Sequence, residues 1–360
     1  MYDFAVVGVG PAGARFAREA ATAGYDVIAF ERGTVGTPLA CSGHVSTDIW
    51  EYVPDEKKAE LRQNEIHGAR FHVGGPQTDS HPFYKREAVS NVIDRVDLDK
   101  TLSTAAQECG ADVREEHTVT DINEKHSGVT LTVSHGEGEE KFHARMVAGC
   151  DGPISRVRRQ SGLPEPHELL HGVLAFDSTV DNADFVDVHL TAPQFFAWRI
   201  PRGKAGVEYG LAAPPSESVP ELFDQLTDTY NVKTEQFCSG AIPIGPPNRI
   251  HTRRVFLIGD AAAQTKPFTG GGILYGMTAA DAAAATIEPD DPATLRDYDQ
   301  AWREELSSEI ALGRWIRRAY SLPPVVQQAG LRALSGEIAV HMDRPSSLFS
   351  RDQLRALVGR

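Results

Sequence analysis

The chain has 360 residues, 41% of them hydrophobic, which is enough for more than one buried core. Its net charge of −14 argues against a nucleic-acid partner, and an acidic excess in which arginine outnumbers lysine predicts a surface suited to high salt. There is no apolar run of the ~18 residues that span a bilayer, no room before the first strand for a signal peptide, and no CxxC pair among Cys41, Cys109, Cys150 and Cys238, so a cytoplasmic chain with reduced thiols is expected.

Phe4 to Val7 reads as a strand that runs directly into Gly8-x-Gly10-x-x-Gly13. Gly8 permits a tight turn, Gly10 lets the backbone approach a pyrophosphate, and Gly13 lets the next helix pack close to the strand. That helix, Ala12 to Ala23 with Pro11 at its start, aims its N-terminal amides at the phosphates. A second strand, Asp26 to Phe30, delivers Glu31, with Arg32 beside it, to where a carboxylate accepts ribose hydroxyls and repels a 2′-phosphate. Two later stretches ask for the same ligand. One is Val147-Ala-Gly149-Cys150-Asp151-Gly152-Pro-Ile-Ser155-Arg156; the other is Val255-Phe-Leu-Ile-Gly259-Asp260, continuing to Pro267-Phe-Thr-Gly270-Gly271-Gly272-Ile273. Together they describe one FAD lying across a doubly wound sheet. Asp260, directly after a buried strand, needs a hydroxyl of the FAD ribityl or ribose region to offset its desolvation. Gly270, Gly271 and Gly272 open a helix at Ile273 whose amides face the flavin pyrimidine edge.

Between these stretches the runs 171–177, 185–190, 195–200 and 207–212 have the length and the β-branched or aromatic content of strands, separated by turn residues. They read as an antiparallel sheet walling a substrate cavity. A helix is expected over Val219 to Tyr230, and mostly helix from Asp290 to about Ala339. The fold class is therefore α/β: a Rossmann-type FAD-binding domain (1–45, 85–165 and 250–289), an antiparallel substrate domain (46–84 and 166–249) and a C-terminal helical region (290–360).

With these motifs placed, most of residues 1–285 resembles the FAD-dependent geranylgeranyl reductase family, within the p-hydroxybenzoate hydroxylase-like flavoproteins. Three pieces carry the resemblance: Pro38-Leu-Ala-Cys41-Ser42-Gly43-His44-Val-Ser46, Phe196-Ala-Trp198-Arg-Ile-Pro201, and the triple-glycine run after the Gly-Asp pair. Related aromatic hydroxylases typically have Gly-Gln-Gly at that run. The resemblance implies saturation of C=C bonds in isoprenoid chains, most commonly those of archaeal digeranylgeranyl ether phospholipids, by hydride from reduced flavin N5. It places Cys41, Ser42 and Gly43 near the flavin and gives Arg95 the task of neutralising cofactor charge. Asp151 and Gly152 fit a family signature in which fold support and cofactor contact are nearly equal readings. Cys41 reads equally as a proton donor and as a small buried hydrophobe, and His44 is a further candidate acid.

Phe196 and Trp198 are two residues apart, so a strand turns both to the same side. With Pro201 they make a substrate wall able to stabilise positive character on a tertiary carbon by about 0.5–2 kcal/mol. No second GxGxxG unit is evident, so the electron donor is expected to be a ferredoxin-like carrier or a transiently bound NAD(P)H. Arg314, Trp315, Arg317 and Arg318 form a basic, aromatic cluster that predicts contact with the inner face of a membrane. The alternatives are an aromatic-hydroxylase-type monooxygenase, a menaquinone-tail reductase and a non-catalytic flavin electron carrier.

Overall fold

The computed structural model describes residues 1–37, 41–338, 341 and 343–349. Pro38, Leu39 and Ala40 of the Cys41 segment, and the tail after residue 349, lie outside the described residues.

The first sheet is built around two short strands, Tyr2–Val7 and Val27–Phe30, which pair in parallel. The second of them is buried along its whole length, as befits a strand covered on both faces. Gly138–Gly149 pairs in parallel with Tyr2–Val7 at its C-terminal half, and Val255–Leu257 pairs beyond it. Two helices, Pro11–Thr22 and Ile273–Thr286, cross where a Cβ on Gly276 would stand 3.2 Å from the Ala12 Cβ and 3.1 Å from the Gly259 Cα. Small residues are what permit that approach. The same sheet continues as an antiparallel meander, Thr118–Lys125, Gly128–His135 and the first half of Gly138–Gly149. Sequence reasoning passed over this meander, although Val129, Leu131 and Val133 alternate as half-buried strands do.

Among the described residues the second sheet has eight strands, and its core is the expected set: Glu168–Asp177, Phe185–His189, Ala197–Pro201 and Val207–Ala213. Along Ala197–Pro201 the register sets Trp198 opposite Gly210 and Ile200 opposite Glu208. Phe196, Trp198, Ile200 and Ala212 therefore share a core with Val186 and Val188, while Ala197, Tyr209 and Leu211 pack on the helix Val219–Tyr230 through Phe223 and Leu226. Pro201, three residues on from Trp198, falls on the opposite face, so it does not join the aromatic wall as expected.

The C-terminal region holds the helices Leu295–Arg318 and Pro324–Leu334, but it is not helical throughout. Gly336–Glu337 adds as a parallel edge strand to Ser80–Tyr84. Gly336 has φ +123, which takes the chain out of the helix and onto the available sheet edge. Among the described residues no helix is long and apolar enough to cross a membrane.

Candidate cofactor and substrate site

The first Gly-rich turn is close-packed on one side and open on the other. Gly8 sits at φ +93 with its amide on the Phe30 carbonyl (2.8 Å), and a Cβ there would lie 2.5 Å from the Cys150 carbonyl oxygen. A Cβ on Gly13 would lie 2.0 Å from the Gly8 oxygen. At Gly10, which precedes Pro11, a Cβ would meet nothing within 4 Å. That space, in front of the first free amides of the Pro11–Thr22 helix, suits a pyrophosphate. Glu31 lies at the same turn and accepts from the Val9 amide at 2.9 Å, while its neighbour Arg32 is exposed.

The third stretch supplies the other half of the site. Asp260 follows the buried strand Val255–Leu257, and among the described residues its carboxylate accepts no protein hydrogen bond. Burial pushes its pKa up to about 6 from the ordinary 3.8, with Arg95 pulling the other way. An unpartnered, half-buried carboxylate is what a ligand hydroxyl would satisfy. Gly272 carries no side chain because a Cβ would come 2.3 Å from Asp260 Oδ1, and Gly271 passes so close to Lys266 that a Cβ would lie 2.8 Å from Cε. Ile273 opens the helix as expected. The glycine cradle and the unpaired acid fit FAD.

The pKa of Asp260 gives a signed prediction. A carboxyl whose folded pKa exceeds its unfolded value stabilises the fold below the unfolded pKa, and that stability is lost as pH rises through the folded pKa. Asp260→Asn should therefore flatten the fall in thermal midpoint of the cofactor-free protein between about pH 4 and 6. It should also weaken FAD binding. A pH profile identical to the parent protein would contradict the assignment.

Several expected site residues have other partners. Arg95 is buried and locked bidentately on Asp99 at 2.6 and 2.9 Å, with Nε unpaired and Cys41 close enough to act on its charge. Its charge is thus largely answered within its own helix rather than free for the cofactor. Gly43 is held against it, since a Cβ would lie 3.0 Å from Arg95 Cγ and 2.4 Å from the Ile93 oxygen. Ser42 Oγ accepts from the His44 amide at 3.2 Å. His44 Nε2 is 2.7 Å from Ser90 Oγ, and burial together with the Lys266 charge lowers its pKa to about 4. Both effects favour the neutral imidazole, which weighs against an imidazolium acid at this position.

Asp151 serves its own turn, accepting from Ser155 Oγ (2.5 Å) and from the amides of Arg156 (2.7 Å) and Val157 (3.0 Å), which favours fold support. Gly152 beside it has φ +78. Pro267 packs against the long C-terminal helix, where a Cβ on Gly313 would lie 3.0 Å from its Cδ.

The aromatic wall is larger than Phe196 and Trp198. Phe195 stacks on Phe196 at 4.4 Å, Trp198 meets Phe196 edge-on at 5.8 Å, and Tyr320 stands edge-on to Phe196 at 5.7 Å. A Cβ on Gly270 would be 3.4 Å from Phe195 Cζ and 3.1 Å from Ile242 Cγ2, so the wall abuts the triple-glycine loop. Tyr320 Oη donates to the Phe268 carbonyl at 2.8 Å, tying the helix end to that loop. Sequence reasoning places Tyr320 only in the basic, aromatic C-terminal cluster, on one helix face with Leu312 and Ile316, because it lies over a hundred residues from the strand whose face it shares. It missed the buried pair Lys266–Asp343 below the loop.

Two glycine cradles, an unpartnered acid and an aromatic wall on a second sheet define an FAD-binding flavoprotein. Residues 1–234 match the FAD binding domain family, and the chain belongs to it. The chain is similar to digeranylgeranylglycerophospholipid reductase 2 of Methanothermobacter thermautotrophicus, 28% identical with 93% of this chain and 92% of that protein covered. It is also similar to digeranylgeranylglycerophospholipid reductase 2 of Methanopyrus kandleri, at 29% identity over 84% of this chain and 83% of that protein. A solved geranylgeranyl bacteriochlorophyll reductase-like protein from Thermoplasma acidophilum has the same fold, with a TM-score of 0.85, 21% identity, and coverage of 99% of this chain and 98% of that one. The fold is shared with p-nitrophenol 4-monooxygenase of Pseudomonas putida, at a TM-score of 0.73 and 16% identity over 99% and 96% of the two chains.

Proposed function

We propose that this protein is an FAD-dependent reductase that saturates C=C bonds in isoprenoid chains, with a geranylgeranylated ether phospholipid as substrate. The observation that carries the reading is the four-ring wall of Phe195, Phe196, Trp198 and Tyr320 set against the Gly270–Gly272 loop. When bound, FAD supplies the hydride. The chain does the rest: Gly10 and the Pro11–Thr22 helix hold the pyrophosphate, Asp260 takes a hydroxyl, and the amides opening the Ile273–Thr286 helix favour negative charge at the pyrimidine edge. The aromatic wall excludes water and presents π faces to an alkene carbon that gains positive character. Cys41, beside buried Arg95, is the side chain we assign to the proton-delivery side. A ferredoxin-like carrier or NAD(P)H supplies the electrons. An oxygen electrode separates this reading from the monooxygenase: reductase turnover should continue without oxygen, and obligatory oxygen uptake would refute it.

The lipid is proposed to arrive at the end of the long C-terminal helix. Exposed Trp315, Leu322, Val325, Val326 and Leu334 cluster there with exposed Arg314, Arg318 and Arg332 on an otherwise acidic protein. Gln327 Nε2 donates to the Tyr320 carbonyl at 2.9 Å, linking this patch to the aromatic wall. Arg317 is not part of it. It is bound bidentately to Glu168 at 2.7 and 2.8 Å and lies over Phe195, so it fastens the helix to the substrate sheet. Replacing Arg314 and Arg318 by serine should weaken binding to anionic vesicles in co-sedimentation by roughly thirtyfold, at about 1 kcal/mol per arginine. Unchanged binding would remove this contact from the account.

A further inference from the structure

Glu208 is fully buried on the face of the substrate sheet that carries Phe196 and Trp198. A carboxylate there is costly unless both oxygens are satisfied. Both are: Oε1 accepts from Trp198 Nε1 at 2.8 Å, and Oε2 accepts from Arg202 Nη1 at 2.8 Å. Arg202, 4% exposed, also donates to two backbone carbonyls, those of Ser42 and Ile93. Its guanidinium lies over the Phe176 ring at 5.2 Å. The two carbonyls belong to the segments that carry Cys41 and Arg95. Ser42 follows Cys41, while Ile93 precedes Asp94 and Arg95 and donates its amide to the Gly43 carbonyl at 3.0 Å.

A single buried ion pair therefore joins the indole of the substrate wall to the Cys41 loop. Opposite it, Gly210 leaves room for the indole to lie across the strand, since a Cβ there would come 2.4 Å from Trp198 Cε2 and Cζ2. The indole is fixed on both sides, by a hydrogen bond at its nitrogen and by the missing side chain under its ring. For stability alone an apolar pair of the same volume would serve as well or better. What the polar pair adds is direction: a planar fork and a carboxylate accept only a narrow set of geometries.

We propose that Glu208 and Arg202 are positioning residues that set the plane of Trp198 and its separation from the Cys41 loop, and so fix where an alkene can lie between them. The proposal rests on the reductase reading only for its last clause. The positioning itself is a property of this chain with FAD bound.

The test uses the FAD-bound protein with Glu208→Gln, the apolar pair Glu208→Leu/Arg202→Met, and each of them combined with Trp198→Phe. The double apolar variant leaves no unpaired buried charge, so it folds even where Glu208→Gln does not. Three readouts are taken: the Trp198 indole N–H resonance (identified by its loss in Trp198→Phe), the alkylation rate of Cys41 against Cys109 and Cys238, and the single-turnover rate of alkene reduction. In the apolar variant the indole resonance should move and its exchange with solvent should quicken. Cys41 alkylation should rise about tenfold while Cys109 and Cys238 stay unchanged. Reduction should slow by about tenfold or more with FAD retained, the usual result of a small displacement at a reacting centre. Added to Trp198→Phe, the same changes should cause little further slowing, because both act through one side chain.

Unaltered indole and Cys41 signals in the apolar variant would overturn the proposal, as would full multiplicative loss in the Trp198→Phe background. If the parent protein reduces no alkene, the reductase reading fails by itself. The indole and alkylation results would still decide the role of the pair.

Discussion

Gly10→Ala is expected to give a folded protein that no longer holds FAD. The backbone at Gly10 has φ −71, which any L-residue adopts, and a Cβ there meets nothing within 4 Å. The methyl group costs the fold nothing, and replacing glycine at such a position generally stabilises by about 0.4–1 kcal/mol. It does occupy the space in front of the helix amides, where the pyrophosphate must approach the backbone. Charge-assisted hydrogen bonds are worth about 1.5–3 kcal/mol each, so losing two should weaken FAD by roughly 10² to 10⁴-fold. Titration of the cofactor-free chain with FAD, followed by flavin fluorescence, measures this, with the thermal midpoint as the control. Gly8→Ala makes the contrast: at φ +93, with the Cys150 oxygen 2.5 Å from the new Cβ, it should cost fold and cofactor together. A Gly10→Ala protein that stays yellow would mean that the phosphates lie elsewhere.

Trp198→Leu is expected to have the largest effect on the chemical step while sparing the cofactor. The indole contributes a π face worth about 0.5–2 kcal/mol to a carbon gaining positive character. It also fixes the geometry between the substrate wall and the Cys41 loop, where misplacement by 1 Å can cost about a hundredfold. Together these predict a fall of roughly 10² in the single-turnover rate of alkene reduction. FAD affinity should change by less than about threefold, because no cofactor-binding feature is touched. Leucine leaves Glu208 Oε1 without its donor, so Trp198→Leu/Glu208→Gln is the variant that separates lost π contact from a stranded buried acceptor. Rapid-mixing measurement of flavin reoxidation by substrate without oxygen reads the rate directly. A Trp198→Leu protein as fast as its parent would reduce this residue to core filling.

The cofactor half of the molecule was legible because its chemistry is local. Gly8, Gly10, Gly13 and Glu31 lie within one strand-helix-strand unit, and the packing that forbids a Cβ at Gly8 and Gly13 is set within that unit and its neighbouring strand. Asp260 was legible because a carboxylate straight after a buried strand demands a partner. The substrate half was legible as strands, since alternation places Trp198 and Phe196 on one face. Its contacts were not, because they join distant segments. Arg95 looked free until Asp99, one helical turn on, proved to lie within reach in a buried setting. Arg317 looked like part of a surface cluster, yet its partner Glu168 is 149 positions away. Glu208 and Arg202 carry no motif at all, and Tyr320 reads only as the end of the basic, aromatic cluster; the pairing of Trp198 with Gly210, and the return of the last helix over the sheet, bring them to the site. His44 shows a different limit. A histidine in a motif suggests an acid, and it takes knowledge of its burial and of the Lys266 charge to see that it is neutral.

The central claim is that the aromatic wall set against the Gly270–Gly272 loop takes an isoprenoid alkene. The most direct measurement mixes dithionite-reduced protein with a geranylgeranylated ether lipid under strict anaerobiosis and follows lipid mass and flavin absorbance together. The account predicts mass gains in steps of about two units, one flavin reoxidised per step, as hydride and proton add across each double bond. Lipid of unchanged mass beside flavin that stays reduced until oxygen is admitted would contradict it.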